Sequence, residues 1–162
     1  MTTNIKIREC LDLAQSYADT YSECRKVAVG SLILMHHNSE KISIYGCNRS
    51  LPVNCKKAGC RRIDLYGEDS KNHRLPSDCR SLHSEIDAIT QAARYGYPLD
   101  RATLYVTRYP CEACARAIVN SGIKTVYYGR DQEISEETKA IFDEGKVKVN
   151  HVKSWFCEDT RR

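Results

Sequence analysis

Two short segments of the chain carry the residues for a hydrolytic metal site. The first holds His83 and, two residues later, Glu85; the second holds Cys111 and Cys114 behind a proline. One imidazole and two thiolates supply three zinc ligands, one fewer than a structural zinc site uses. The fourth position can then hold a water that becomes a nucleophile. With Glu85 free to move protons, the pattern predicts hydrolysis.

Both segments are expected at the start of a helix. Pro110 fits a first helical turn, and two cysteines three residues apart project from one side of that turn. The N-terminus of a helix also stabilises thiolates, which are the ligating form. Ser81 is a candidate cap for the other helix. Residues two apart on a regular helix diverge by about 200°, so His83 and Glu85 converge only if His83 lies in the irregular entry to the helix.

The order of the two segments is more specific than either alone. A lone Cys-x-x-Cys also occurs in redox and structural sites, whereas His-x-Glu followed by Pro-Cys-x-x-Cys is the signature of zinc nucleobase deaminases. In that chemistry Glu85 takes a proton from water, and the hydroxide attacks a ring carbon that bears an amino group. Glu85 then protonates the ring nitrogen and the leaving ammonia.

Composition places these segments in one ordinary domain. The chain has 162 residues, 41% of them hydrophobic, and we expect a single domain over residues 1–162. No apolar run approaches the ~18 residues of a membrane span, and the N-terminus lacks the apolar core of a secretory signal, so a cytoplasmic location is expected. A net charge of +4 suits an anionic small molecule and is weak for nucleic acid.

The elements that must position the site alternate between helices and strands. This alternation predicts an α/β fold with a mixed, mostly parallel five-stranded sheet covered by helices on both faces, a three-layer αβα arrangement. Residues 47–80 lack periodicity and are predicted as a long cysteine-rich loop insertion. The predicted strands are 27–35, 41–46, 102–107, 124–128 and 146–150, and the predicted helices are 5–20, 82–93, 111–120 and 133–144.

Nearly the whole chain resembles the cytidine/deoxycytidylate deaminase superfamily, and most closely its deoxycytidylate (dCMP) deaminases. Residues 29–33, Val-Gly-Ser-Leu-Ile, are similar to the family's Val-Gly-Ala-Val-Ile strand. Residues 45–48 resemble its Gly-Tyr-Asn-Gly turn, and residues 105–118 resemble its zinc-binding helix. The resemblance implies a cytidine-deaminase-like fold, Zn²⁺-dependent conversion of dCMP to dUMP, and contact between Asn48 and the deoxyribose.

The chain departs from the family pattern at three positions near these motifs. Ser84 stands in place of the alanine of His-Ala-Glu, and Asp87 stands where the family often has asparagine. Arg49 replaces the glycine that follows the asparagine of the turn. The small-for-small change to Ser84 is expected to leave the chemistry intact, and Arg49 is expected to alter the sugar-binding turn, so the departures bear on the substrate more than on the reaction.

Four further cysteines suggest a second metal. Cys24 precedes the first strand, Cys55 and Cys60 lie in the long loop, and Cys79 ends it. A tetrahedral structural zinc on these four thiolates would brace the loop, and some dCMP deaminases carry a second zinc at similar places. His73 is an alternative ligand, and four unrelated thiols are the alternative interpretation.

The substrate is less specified than the reaction. Arg108 and Tyr109, beside the zinc cysteines, are candidates for contacts with the phosphate and the base of a nucleotide. The alternatives are dCTP or a modified cytosine nucleotide, a free nucleoside, a nucleic-acid base as in tRNA adenosine deaminases, and a non-catalytic zinc module. The resemblance also implies a homo-oligomer, either a hexamer or a dimer, and a deoxynucleoside triphosphate effector.

Overall fold

The computed structural model describes residues 2–49, 55–67, 79–130 and 134–156. The chain ends its described part in a 3₁₀ turn, Lys153–Phe156. The helices are α1 Thr2–Tyr21, α2 Cys55–Ala58, α3 Arg61–Tyr66, α4 Ser84–Arg94, α5 Glu112–Asn120 and α6 Glu136–Glu144. The strands are β1 Gly30–His37, β2 Glu40–Cys47, β3 Thr103–Arg108, β4 Thr125–Arg130 and β5 Lys148–His151.

The five strands form one mixed sheet in the order β2-β1-β3-β4-β5. β1 pairs antiparallel with β2 and β3, whereas β3, β4 and β5 are parallel to one another. Asn38 and Ser39 join β1 to β2, and both have positive φ, which is the geometry of a type I′ hairpin turn. The predicted five-stranded mixed sheet is confirmed, with half of its pairings parallel.

Helices cover both faces of the sheet, which confirms the three-layer αβα arrangement. α1 lies on one face so closely that a Cβ at Gly30 would meet the carbonyl oxygen of Ala14 at 1.9 Å. On the other face α4, α5 and α6 enclose the main core with β1, β3 and β4. Within the described residues, no helix combines the length and apolar character that a membrane crossing requires. Core side chains on the second face include Ile33, Leu104, Val106, Val126, Ala88, Ala115, Ile118 and Phe142.

The predicted loop over residues 47–80 contains regular structure. α2 and α3 lie within it, and Cys55 and Cys60, which begin and precede these helices, are buried. Helices of four to six residues are too short to show a helical period in the sequence, so the pattern could not predict them. His73 lies outside the described residues.

Candidate active site

The helix that carries the candidate proton carrier begins one residue after the candidate metal-binding histidine. His83 is the N-cap of α4 in an extended conformation, with φ −71° and ψ 151°, and Ser84 is the first helical residue. His83 therefore lies in the non-helical entry that its convergence with Glu85 requires. The first turn is closed by a hydrogen bond from the Asp87 N–H to the His83 carbonyl, at 2.9 Å.

The second candidate metal-binding segment also begins a helix. Cys111 is the N-cap of α5, with φ −78° and ψ 170°, so the helix begins at Glu112 and not at residue 111 as predicted. Cys114 is buried in the first turn. N-caps are usually Ser, Thr, Asp or Asn, whose side chains accept a hydrogen bond from the helix. Neither His83 nor Cys111 makes such a bond, and both side chains point into the site instead.

The two helix starts bring three candidate ligands together. The sulfurs of Cys111 and Cys114 each lie 3.4 Å from Nδ1 of His83, and all three ligand atoms lie within 4.8 Å of one another. Tetrahedral zinc, with bonds of ~2.3 Å to sulfur and ~2.1 Å to nitrogen, separates S and N ligands by about 3.5 Å. The soft donor set and this spacing fit Zn²⁺. No other such group of three or more occurs among the described residues.

The electrostatics of these ligands favour negative charge on sulfur. The Cys114 thiol donates to Cys111, and together with His83 this contact lowers the pKa of Cys111 to about 4 despite its burial. The pKa of Cys114 is raised, mainly by its hydrogen bond to Cys111 and secondly by its burial. The hydrogen bond with Cys111 raises the pKa of His83. The N-termini of α4 and α5 add positive partial charge, so the cluster suits a cation that displaces these protons.

Glu85 is enclosed beside the cluster and is held by a serine. It is 4% exposed, and burial raises its pKa. The Ser84 hydroxyl donates to Oε2 of Glu85 at 3.0 Å, and Ser31 Oγ lies 2.8 Å from Ser84 Oγ. Because the single hydroxyl proton of Ser84 is donated to Glu85, the Ser31 hydroxyl must be the donor to Ser84. Sequence reasoning missed Ser31, since no local pattern links a strand serine to one 53 positions away.

The three predicted substrate residues line the same cleft as His83, Glu85 and Cys111. Asn48 is 8% exposed, and its amide oxygen is occupied by hydrogen bonds from the chain. Tyr109 is 5% exposed and packs edge-on against Tyr128 and Phe142, with ring centroids 4.9 and 6.3 Å apart, so most of it belongs to the core.

Cationic side chains dominate the charge of this cleft. Lys26, Arg62 and Arg108 line it, and Glu85 is the single carboxylate among its described lining residues. Arg130 is paired in register with Arg108 on the next strand, and burial, with a contribution from Arg108, lowers the pKa of Arg130. The balance favours an anionic ligand. The sequence did not predict Lys26 as a cleft residue, because it lies in an irregular segment before β1.

The four cysteines proposed for a second zinc lie near one another without forming a compact ligand group. Cys24, Cys60 and Cys79 line the cleft, and Cys55 is buried at the start of α2. Burial raises the pKa of Cys79, to which Cys24 and Cys55 contribute electrostatically. No three of the four sulfurs lie within 4.8 Å of one another. The eight cysteines in the described part of the chain form no disulfide with one another, and the second zinc stays a prediction.

Comparisons with known proteins assign the chain to a family. A sequence model of the MafB19-like deaminase family matches residues 7–156. ComE operon protein 2 of Bacillus subtilis is 33% identical over 133 residues, which are 81% of this chain and 63% of that protein. Deoxycytidylate deaminase of Saccharomyces cerevisiae is 31% identical over 148 residues, which are 89% of this chain and 43% of that protein. The chain belongs to the MafB19-like deaminase family, within the cytidine/deoxycytidylate deaminase superfamily.

The fold is also that of a solved deaminase. The crystal structure of dCMP deaminase from cyanophage S-TIM5 has a TM-score of 0.63 and 20% sequence identity, covering 90% of this chain and 97% of that one. At this identity the likeness shows a shared fold. The chain spans less than two-thirds of the length of each of the two sequence relatives above.

Proposed function

We propose that the protein is a zinc-dependent hydrolase that deaminates a deoxycytidine nucleotide, converting dCMP to dUMP and ammonia. One observation carries the reaction: His83, Cys111 and Cys114 form a three-ligand cluster, with the enclosed Glu85 beside it at the wall of a cleft. A structural site would be closed by a fourth protein ligand and would have no use for this carboxylate.

In this proposal each residue has a defined task. His83 Nδ1 and the two sulfurs hold the metal, which when bound supplies a Lewis acid that makes water nucleophilic near neutral pH. Glu85 takes a proton from water as oxygen attacks C4 of the cytosine ring, delivers it to ring N3, and passes the second proton to the amino group that leaves as ammonia. Ser84 orients the Oε2 atom of Glu85 through its hydrogen bond. The enclosure of Glu85 keeps bulk water from these transfers.

The cleft supports a nucleotide as the substrate. Arg108, with Lys26 and Arg62 on the same cleft, offers cations to a phosphate. In this proposal the side-chain amide of Asn48 donates to the sugar. Two relatives support the same class: the yeast relative is a deoxycytidylate deaminase, and the cyanophage enzyme has also been solved in complex with dCMP and dUMP.

The remaining expectations belong to this proposal as features to be measured. They are a single deaminase domain over residues 1–162, a structural zinc on Cys24, Cys55, Cys60 and Cys79, a homo-oligomer, and a deoxynucleoside triphosphate effector. Metal analysis, molar mass in solution and titration of the rate with dTTP or dCTP address the last three in turn.

Ammonia release from a panel of substrates tests the function. The zinc-loaded protein is offered dCMP, dCTP, deoxycytidine, CMP and single-stranded DNA, and dCMP should give the highest kcat/KM. Glu85→Gln should lower kcat by roughly 10²–10⁴-fold while zinc stays bound. Glu137→Gln, at an exposed position on α6, is the matched control and should retain full turnover. Equal activity on deoxycytidine and dCMP would refute the nucleotide assignment, and full turnover by Glu85→Gln would refute the mechanism.

A further inference from the structure

The side chain of Asn48 is oriented by two hydrogen bonds to its amide oxygen. Val29 N–H donates to Oδ1 at 2.6 Å, and the Ser22 hydroxyl donates to the same atom at 3.3 Å. The amide nitrogen is therefore the group that can donate to a ligand in the cleft. How far it reaches depends on where the backbone of residues 47–49 lies.

One buried carboxylate fixes the chain on both sides of Asn48. Oδ2 of Asp87 accepts hydrogen bonds from the Cys47 N–H at 3.0 Å and from Arg49 Nε at 3.1 Å. Asp87 is 2% exposed and lies on α4, two residues after Glu85. The carboxylate thus ties the turn that would contact the sugar to the helix that carries out the chemistry.

Arg49 extends this network in two more directions. Its Nη2 donates to the Tyr17 hydroxyl of α1 at 2.9 Å. Its backbone exchanges hydrogen bonds with Leu82 at 3.2 and 2.5 Å, just before the metal-binding histidine. Arg49 is not among the described residues that line the cleft, so it acts on a ligand only through its neighbours.

Arg49 and Asp87 both depart from the family pattern. That pattern has glycine at the position of Arg49 and often asparagine at the position of Asp87. A buried carboxylate without a cation is costly, and Arg49 supplies the compensating charge. The two departures therefore meet in a single contact. We propose that Arg49 and Asp87 form a positioning pair that places Asn48 against the nucleotide and so sets the affinity for its sugar. This inference rests on the proposed function.

Steady-state kinetics with dCMP on the zinc-loaded protein test the pair. Asp87→Asn keeps the shape of the side chain and removes its charge; it should raise KM roughly 10-fold and change kcat by less than about 3-fold. Asn48→Ala should also raise KM. Because Asp87 acts through Asn48, adding Asp87→Asn to Asn48→Ala should raise KM no further. If Asp87→Asn raised KM by the same factor in the wild type and in Asn48→Ala, its role would be merely structural and the proposal would be overturned.

The second partner gives an independent cycle. Arg49→Gln leaves a buried carboxylate without its cation, so it should lower the melting temperature more than Asp87→Asn, and the double variant should recover part of that loss. Glu136→Gln, which breaks the exposed ion pair with Lys139 on α6, is the matched control and should leave KM unchanged.

Two failures are distinguishable. If the wild-type protein releases no ammonia from dCMP, the proposed function is wrong and the inference falls with it. If the wild type turns over dCMP while Asp87→Asn has an unchanged KM, or the Arg49 and Asp87 effects simply add, only the positioning pair is wrong. Calorimetric binding of dUMP gives the same comparison without turnover. The dissociation constant for dUMP should rise in each variant by about the same factor as its KM.

Discussion

Replacement of Gly46 by alanine should separate the active-site helix from the sheet. Gly46 lies on β2 under α4, and an added Cβ would lie 2.2 Å from the Ser84 carbonyl oxygen, 2.5 Å from the Ala88 nitrogen and 2.9 Å from the Ala88 Cβ. Two of these atoms belong to helix backbone, which cannot rotate away. Ordinary contacts begin near 3.4 Å, so α4 must move by about 1 Å.

The size of the effect follows from that displacement. Overpacking of this kind costs about 1–3 kcal/mol, and at ~2–4 °C per kcal/mol for a chain of this size the melting temperature should fall by roughly 2–12 °C. A 1 Å misplacement of catalytic groups costs about 10²-fold in rate. Because α4 carries Glu85 and follows His83, kcat for ammonia release should fall by about that factor.

A second glycine supplies the control. A Cβ at Gly129 would lie 2.0 Å from the ring of Trp155, which donates to Asp12 at 2.8 Å and is not among the described residues that line the cleft. Gly129→Ala should shift the fluorescence of this single tryptophan and keep kcat near the wild-type value. Calorimetry and steady-state kinetics on both variants complete the comparison. A Gly46→Ala protein with wild-type melting temperature and kcat would refute the packing argument.

Three further predictions concern the site and its supports. Ser84→Ala removes a hydrogen bond to a carboxylate and should lower kcat about 10-fold or more with little change in KM; equal kcat values would show that Ser84 does not orient Glu85. Because the pKa of Cys111 is about 4, well below that of an ordinary thiol, alkylation of chelator-treated protein should stay fast from about pH 8 down to about pH 5 and slow only near pH 4. A rate that falls tenfold per pH unit below about pH 8 would contradict this. Ser135→Ala removes the hydroxyl that accepts the Thr138 N–H at the start of α6 and should lower the unfolding free energy by about 1 kcal/mol in urea titration, with deamination unaffected.

The parts of the site that the sequence predicted are those whose chemistry is local. His83 and Glu85 lie two positions apart, and Cys111 and Cys114 lie three apart, so spacing alone suggested that each pair shares a helix start. The order of strands and helices was likewise visible in the periodicity, because most elements are long enough to show a period. Short helices such as α3, with six residues, show no such period and were not predicted.

The parts that the sequence could not predict depend on register between distant segments. Arg49 and Asp87 are 38 positions apart, and their contact exists only because β2 ends beside the first turn of α4. Tyr109 shows the converse difficulty. Its position beside the ligands suggested a base contact, while the packing of Tyr128 and Phe142 around it places most of the ring in the core. No single-chain pattern distinguishes a cleft wall from a core when one residue contributes to both.

The cleft joins two groups of residues that come from separate parts of the architecture. The candidate metal ligands and Glu85 occupy the N-terminal ends of α4 and α5, while Lys26, Asn48 and Arg62 come from segments outside those helices. In the proposed function, the residues that break the carbon–nitrogen bond and those that recognise the rest of the ligand thus come from different elements, and the contact between Arg49 and Asp87 joins the two groups. A change in the recognition segments that accepts a different amine-bearing base would therefore leave the reactive helix ends in place only where this contact is kept, which constrains evolution and protein engineering alike.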